Sequence, residues 1–197
     1  MARKILIGVA AVIVLLLLVI LTRPSTFHVE RSITMAAPPE NAFAQVNDFH
    51  AWPAWSPWEK LDPQMKRTHE GSPAGVGAKY AWVGNDQVGE GRMTIEKSEQ
   101  PKAVGIKLEF LKPWEATNAT TFTFAPTSQG SKVTWAMDGE NNFMAKAASL
   151  FMDMDKMIGA DFEKGLAAMK TAAEATPKAA PAAPVAPPAQ PAASAAP

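Results

Sequence analysis

The chain has 197 residues, 47% of them hydrophobic, with 19 basic and 19 acidic side chains and no cysteine. That length suits one domain with appendages, and the missing thiols exclude disulfides, thiolate catalysis and cysteine-ligated zinc or iron–sulfur sites. The balanced charge hides an acidic middle: residues 24–175 carry 15 basic against all 19 acidic side chains, a net of −4, which argues against nucleic acid or an anionic membrane surface as the domain's partner.

Ile5 to Leu21 is an unbroken run of 17 residues without a charge. As a helix rising about 1.5 Å per residue, Ile5 to Thr22 reaches roughly 27 Å, close to the ~30 Å hydrocarbon core of a bilayer. A buried core helix would show polar positions on one face, and this run shows none. The residues after it, Leu21-Thr22-Arg23-Pro24-Ser25-Thr26, lack the small-residue cleavage pattern of a secretory signal. Residues 1–25 therefore read as an uncleaved membrane anchor with a short linker. Arg3 and Lys4 before the span face Arg23 and Arg31 after it, so the positive-inside rule is nearly balanced. The short basic start is that of a bacterial signal-anchor, which places the domain on the periplasmic side.

The next 150 residues or so follow a period of two. Phe27, Val29, Ile33 and Met35 alternate with polar neighbours in a first strand, and Pro38-Pro39-Glu40 then opens a helix carrying Ala42, Phe43, Val46 and Phe49. Pro53 and Pro57 stop regular helix. A weak strand at Met65–Glu70 precedes clearer ones at Ala78–Val83 and Val88–Lys97, joined by the turn Gly84-Asn85-Asp86. Val104, Ile106, Leu108 and Phe110 alternate with charged residues, as in a sheet with one wet face. A threonine-rich strand at 117–125 and a last strand with Val133, Trp135 and Met137 complete seven.

The period then becomes 3.6. Asn141 or Asn142 can cap a helix whose stripe runs through Phe143, Ala147, Leu150, Phe151, Met154, Ile158, Phe162, Leu166 and Met169 to about Ala175. The pattern predicts one helix of about 30 residues, far longer than the usual 11 or 12. From 176 to 197 the sequence turns to alanine and proline, without aromatic or acidic side chains, and reads as a disordered tail. The fold class is α+β, a seven-stranded antiparallel sheet curled around one long C-terminal helix, spanning residues 26–175.

This order of elements resembles the helix-grip fold of the SRPBCC, or START-like, superfamily. Particular segments resemble its bacterial polyketide cyclase/dehydrase-like branch: Phe27 to Ile33, Ala37-Pro38-Pro39-Glu40, Asp48-Phe49 leading to Trp52, Trp55-Ser56-Pro57-Trp58 before Asp62-Pro63, Gly89-x-Gly91-x-Met93 and Ile158-Gly159-x-Asp161-Phe162. The resemblance covers roughly residues 27–170. It implies a cavity between the concave sheet face and the long helix, which in relatives accommodates lipids, sterols or polyketides. Strand parity supplies a matching wall: Tyr80, Trp82, Met93, Ile106, Leu108, Phe110, Trp135 and Met137 share the in-facing side, and Met154, Met157 and Ile158 come from the helix. The expected ligand is a hydrophobic small molecule such as a lipid, quinone or polyketide.

Catalytic chemistry is harder to place. His28, His50 and His69 have no metal-ligand spacing, and the glycine pairs at 75/77 and 89/91 form no phosphate loop. Asp153, Asp155 and Lys156, like Asp161 and Glu163, read as a solvated helix face. Asn118-Ala119-Thr120 is a formal glycosylation sequon, a pattern that recurs by chance and carries no weight in a bacterial-looking chain. Arg31 breaks the apolar parity of the first strand, so its head must reach solvent, a carboxylate or a ligand anion. No acid/base pair, cofactor or metal is expected. The alternatives to a ligand carrier are a cyclase/dehydrase-like enzyme with a polar dyad in the pocket, or an interaction module with a filled core.

Overall fold

The computed structural model describes residues 1–176, so all but the first residue of the predicted alanine/proline tail lies outside the described residues. Helix α1 (Ala2–Leu21) is followed by β1 (Thr26–Met35), α2 (Pro39–Asn47) and two 3-10 turns, Phe49–Ala54 and Pro57–Lys60. Six strands follow: β2 (Lys66–Gly71), β3 (Ala78–Val83), β4 (Glu90–Glu99), β5 (Ala103–Lys112), β6 (Ala116–Thr127) and β7 (Gly130–Glu140). Two helices close the domain, α3 (Phe143–Ala148) and α4 (Met154–Ala175).

All seven strands form one antiparallel sheet in the order β1-β7-β6-β5-β4-β3-β2. The first strand thus lies beside the last, and the chain crosses to the far edge through α2 and the two 3-10 turns. Sequence order accounts for this crossover. Pro39 starts α2 where its missing N–H is no loss, the Asp48 carboxylate accepts from the His50 N–H at 2.8 Å to begin the first 3-10 turn, and Pro53 and Pro57 prevent longer helix. Trp52 and Trp55 then donate their indole N–H groups back to the carbonyls of Val46 and Gln45, at 3.1 and 2.9 Å. Each large ring is thereby buried without an orphaned donor.

The sheet turns one face inward, onto α2 and α4, as the parity predicts. Val29, Tyr80, Ile95, Val104, Phe122, Phe124, Val133 and Trp135 are buried there, with Phe43, Val46, Phe162, Leu166 and Met169 from the helices. Close packing also explains one glycine: a Cβ on Gly91 would stand 2.4 Å from the Trp82 ring and 2.6 Å from the Glu109 carbonyl. The outer face is wet and held by cross-strand ion pairs. Arg92 on β4 donates from Nε and Nη2 to Glu109 on β5 at 2.8 and 2.9 Å. This guanidinium, helped by Lys107, holds the Glu109 carboxyl down at about 2, from an ordinary 4.5. A carboxyl depressed on folding stabilises above its unfolded value and loses that contribution as pH falls toward the folded one. Acid titration of the unfolding midpoint should therefore fall between about pH 4.5 and 2, and Glu109→Gln should flatten that segment of the curve.

The predicted single C-terminal helix is two helices. Asn142 caps α3 by accepting from the Ala145 N–H at 2.9 Å, and Asp153 caps α4 by accepting from the Lys156 N–H at 3.1 Å. Between them the chain runs through Ser149–Asp153, with Phe151 86% exposed. The stripe failed as a single face because its two halves have different partners. α3 packs against the end of α1, whereas α4 lies along β1.

Candidate functional site

Exposure of the sheet's inner face is graded along the strands. Val133, Trp135 and Met137 of β7 are 0, 2 and 7% exposed in that order, toward the end where β1 begins. In β5, Val104 and Ile106 are buried while Leu108 and Phe110 are half-buried; Met93 is less covered than Ile95, and Trp82 less than Tyr80. Because the strands are antiparallel and in the registers Met93–Leu108–Asn118 and Ile95–Ile106–Thr120, these changes all run toward one end. At the other end α2 and the tryptophans fill the space. At this end, which also receives α1, the inner face is only partly covered by the start of α4.

The deep part is a solid aromatic stack. Phe162 of α4 lies flat on Trp135, with centroids 4.0 Å apart and planes 8° off parallel, and Phe122 stacks on the same indole at 4.8 Å. Trp55 and Trp58 meet it edge-on. Of the residues predicted to line a cavity, Tyr80 and Trp135 therefore belong to packed aromatic clusters, and Ile106 is fully buried beside them. Trp82, Met93, Met137, Leu108, Phe110 and Ile158 border the looser end. Met154 is half-covered, and Met157 points to solvent, 46% exposed.

Two polar atoms within this region make no hydrogen bond among the described residues: Thr120 Oγ1 and Trp135 Nε1, both on residues less than 5% exposed. Thr120 pairs with Met137, two residues on from Trp135, so the two side chains are diagonal neighbours on the inner face. Asn118, the next in-facing residue of β6 toward the open end, is buried as well. The strand's alternation turns both Asn118 and Thr120 inward. That signal was present in the sequence, where Thr120 shares parity with Phe122 and Phe124.

Arg31 does face inward, and its partners are carboxylates of α4. Its guanidinium donates to Asp155 Oδ2 at 2.9 Å and to Glu163 Oε1 at 3.0 Å, and covers Gly159, where a Cβ would stand 2.1 Å from Nη2. Asp155 and Glu163 stay mostly exposed, as on a solvated helix face, while pairing with Arg31 where α4 meets β1, and Asp155 is held below its usual carboxylate range by this hydrogen bond. A second polar group went unnoticed in the sequence because a 3-10 turn has no periodicity to betray it. Glu59 is buried and accepts from the Tyr80 hydroxyl at 2.5 Å and from Arg67 Nε at 2.6 Å. Burial, then the Glu59 hydrogen bond, push the Tyr80 phenol well above its ordinary range. Each Glu59 carboxylate oxygen already has a partner, which is what a buried structural acid needs. Open concavities lie on the other side: a shallow groove of about 790 Å³ is lined mainly by outward residues including Lys97, Lys107, Ala119, Thr121 and Asp138.

Residues 26–174, more than half the chain, match the family described as polyketide cyclase/dehydrase and lipid transport. No curated protein matches the chain. Among solved structures, protein CV1439 from Chromobacterium violaceum is similar at 16% identity and a TM-score of 0.54, over 78% of this chain and 100% of that one. The Aha1 dimer from Colwellia psychrerythraea is similar at 14% identity and 0.54, over 76% and 97%. The di-domain ARO/CYC protein StfQ of the steffimycin biosynthetic pathway is similar at 13% identity and 0.56, over 76% of this chain and 51% of its own. At such identities the likeness establishes the fold.

Proposed function

The chain belongs to the polyketide cyclase/dehydrase and lipid transport family, and from that premise we propose that its domain, residues 26–175, binds an apolar small molecule at the loosened end of the inner face. Trp82, Met93, Leu108, Phe110, Met137 and Ile158 would surround the guest, with Met154 at the rim. α1 is long and apolar enough to cross a membrane; in this reading it anchors the domain on the periplasmic face, where a lipid-derived ligand is at hand. The observation that carries the proposal is the buried, unpartnered hydroxyl of Thr120, next to the looser end. A buried polar group without a partner costs about 1–3 kcal/mol, and a ligand's oxygen would satisfy it. The apolar contact supplies the rest. A guest burying roughly 300 Å² at about 25 cal/mol per Å² gains near 7 kcal/mol before association costs, so micromolar or weaker affinity is expected.

The test is titration of the purified full-length chain in detergent with an apolar fluorescent fatty-acid probe, alongside Thr120→Val. Saturable binding is expected. The substitution removes the orphaned hydroxyl at nearly constant volume, so it should leave stability unchanged or raise it, while weakening a probe that bears a polar head roughly three- to tenfold. Absence of saturable binding would defeat the carrier reading and leave the interaction-module alternative. For a cyclase-like activity the buried Glu59, with Tyr80 and Arg67, is a poor candidate, because its hydrogen bonds to those two side chains already occupy both carboxylate oxygens.

A further inference from the structure

Large apolar side chains exposed outside α1 are confined almost wholly to one end of the domain. Among the described residues after α1 there are ten, and nine lie on the strand ends and turns nearest α1 or on the segment from α3 into the first turn of α4; Val76, in the turn between β2 and β3, is the exception. The most prominent are Trp114, 68% exposed in the turn between β5 and β6, Leu111 beside it, Phe143 and Met144 on α3, and Phe151 and Met152 in the α3–α4 connection. Singly, exposed apolar residues are ordinary; clustered on one end of a monomer they mark a contact surface.

The position of α1 identifies the contact. Only Thr22 to Ser25 separate it from β1, so Leu21 and Thr26 stand at most about 18 Å apart. This linker is also tied down. Arg23 Nη2 donates to the Ser149 carbonyl at 2.9 Å, the Asn141 N–H donates to the Ser25 carbonyl at 2.8 Å, and Asn141 Nδ2 donates to the carbonyls of Pro24 and Thr26 at 3.2 and 3.3 Å. α3 packs directly on α1. A span that enters a bilayer at this corner brings the apolar end with it.

We propose that this end of the domain is seated in the membrane interface, with Trp114 and the side chains around α3 entering the boundary between headgroups and acyl chains. The inference rests on α1 being the membrane anchor and deepens the carrier reading. The loosened end of the inner face opens on the same side, so an apolar guest would pass between leaflet and protein without crossing water. Trp114 suits the interface, since its ring is apolar and its indole N–H can remain with the headgroups. The attraction is chiefly apolar: the domain as a whole is acidic and Lys112 at this end is paired with Glu90 at 2.7 Å, while Lys146 on α3 is a cation without an ion pair among the described residues. Uncharged lipid should therefore suffice.

The full-length chain is reconstituted into phosphatidylcholine vesicles, with and without lipid brominated high on the acyl chains, and compared with Trp114→Phe and Phe151→Glu. Bromolipid should quench the share of tryptophan emission that Trp114→Phe removes. Phe151→Glu should lower that quenching while leaving the thermal unfolding midpoint in place, because a side chain this exposed contributes nothing to the core. Emission from Trp114 that is quenched by aqueous iodide and untouched by bromolipid, in a chain that still floats with the vesicles, would overturn the proposal with the anchor intact. A chain removed from vesicles by alkaline washing would overturn anchor and docking together. Bilayer contact without probe binding would refute the carrier reading alone.

Discussion

Phe162→Ala is expected to lower the unfolding free energy by about 3 to 5 kcal/mol, the usual cost of removing a large aromatic ring from a core. The ring is 1% exposed, lies flat on Trp135 at 4.0 Å and meets Trp58 edge-on at 6.4 Å. It is thus the main apolar bolt between α4 and the middle of the sheet. The Arg31 clamp cannot compensate, because Arg31, Asp155 and Glu163 all retain solvent contact and such pairs contribute little. Urea unfolding followed by circular dichroism should show a lower midpoint with an unchanged slope. Ile158→Ala, one turn earlier and half-buried, should cost markedly less. Equal losses at the two positions would mean that the inner face is packed uniformly from end to end, contrary to the graded exposure.

The contrast between these two positions also shows what the sequence made legible. Strands other than β2, which is exposed throughout, were readable because they alternate against one wet and one dry face; Val133, Trp135 and Met137 face inward as their parity requires. Asn118 and Thr120 obey the same parity although they are polar. The helix break was harder. Phe143 and Phe151 continue an apolar stripe, and nothing in a one-dimensional pattern says that the partner of the first turns is α1 and that of the later ones is the sheet. Arg31 broke its strand's pattern visibly, but its partners Asp155 and Glu163 are more than 120 residues away and look like any exposed acids on a helix. Glu59 gave no signal at all, because burial in a 3-10 turn depends on the distant Tyr80 and Arg67. The family resemblance supplied the architecture, yet the depth to which the core is filled depends on the sizes of side chains meeting across elements, such as Phe162 on Trp135.

Leu108→Trp is expected to abolish probe binding while changing stability by no more than about 0.5 kcal/mol, as for a substitution that meets open space. Leu108 lies on β5 between Met93 and Asn118, one in-facing step above Ile106 and Thr120. It is half-buried at the end that the helices leave loosely covered. An indole there would occupy the room assigned to the guest and screen the Thr120 hydroxyl. Val104→Trp supplies the control two steps deeper on the same strand. Val104 has no exposure and opposes Phe122, so an indole at that point overpacks a filled core and should cost about 1 to 3 kcal/mol or more. Thermal unfolding and probe titration of the two variants together decide the matter. If Leu108→Trp is as destabilising as Val104→Trp, the inner face is closed at both ends and has no place for a ligand. If it is tolerated yet binding persists unchanged, the guest sits elsewhere, and the Thr120 hydroxyl is not its anchor.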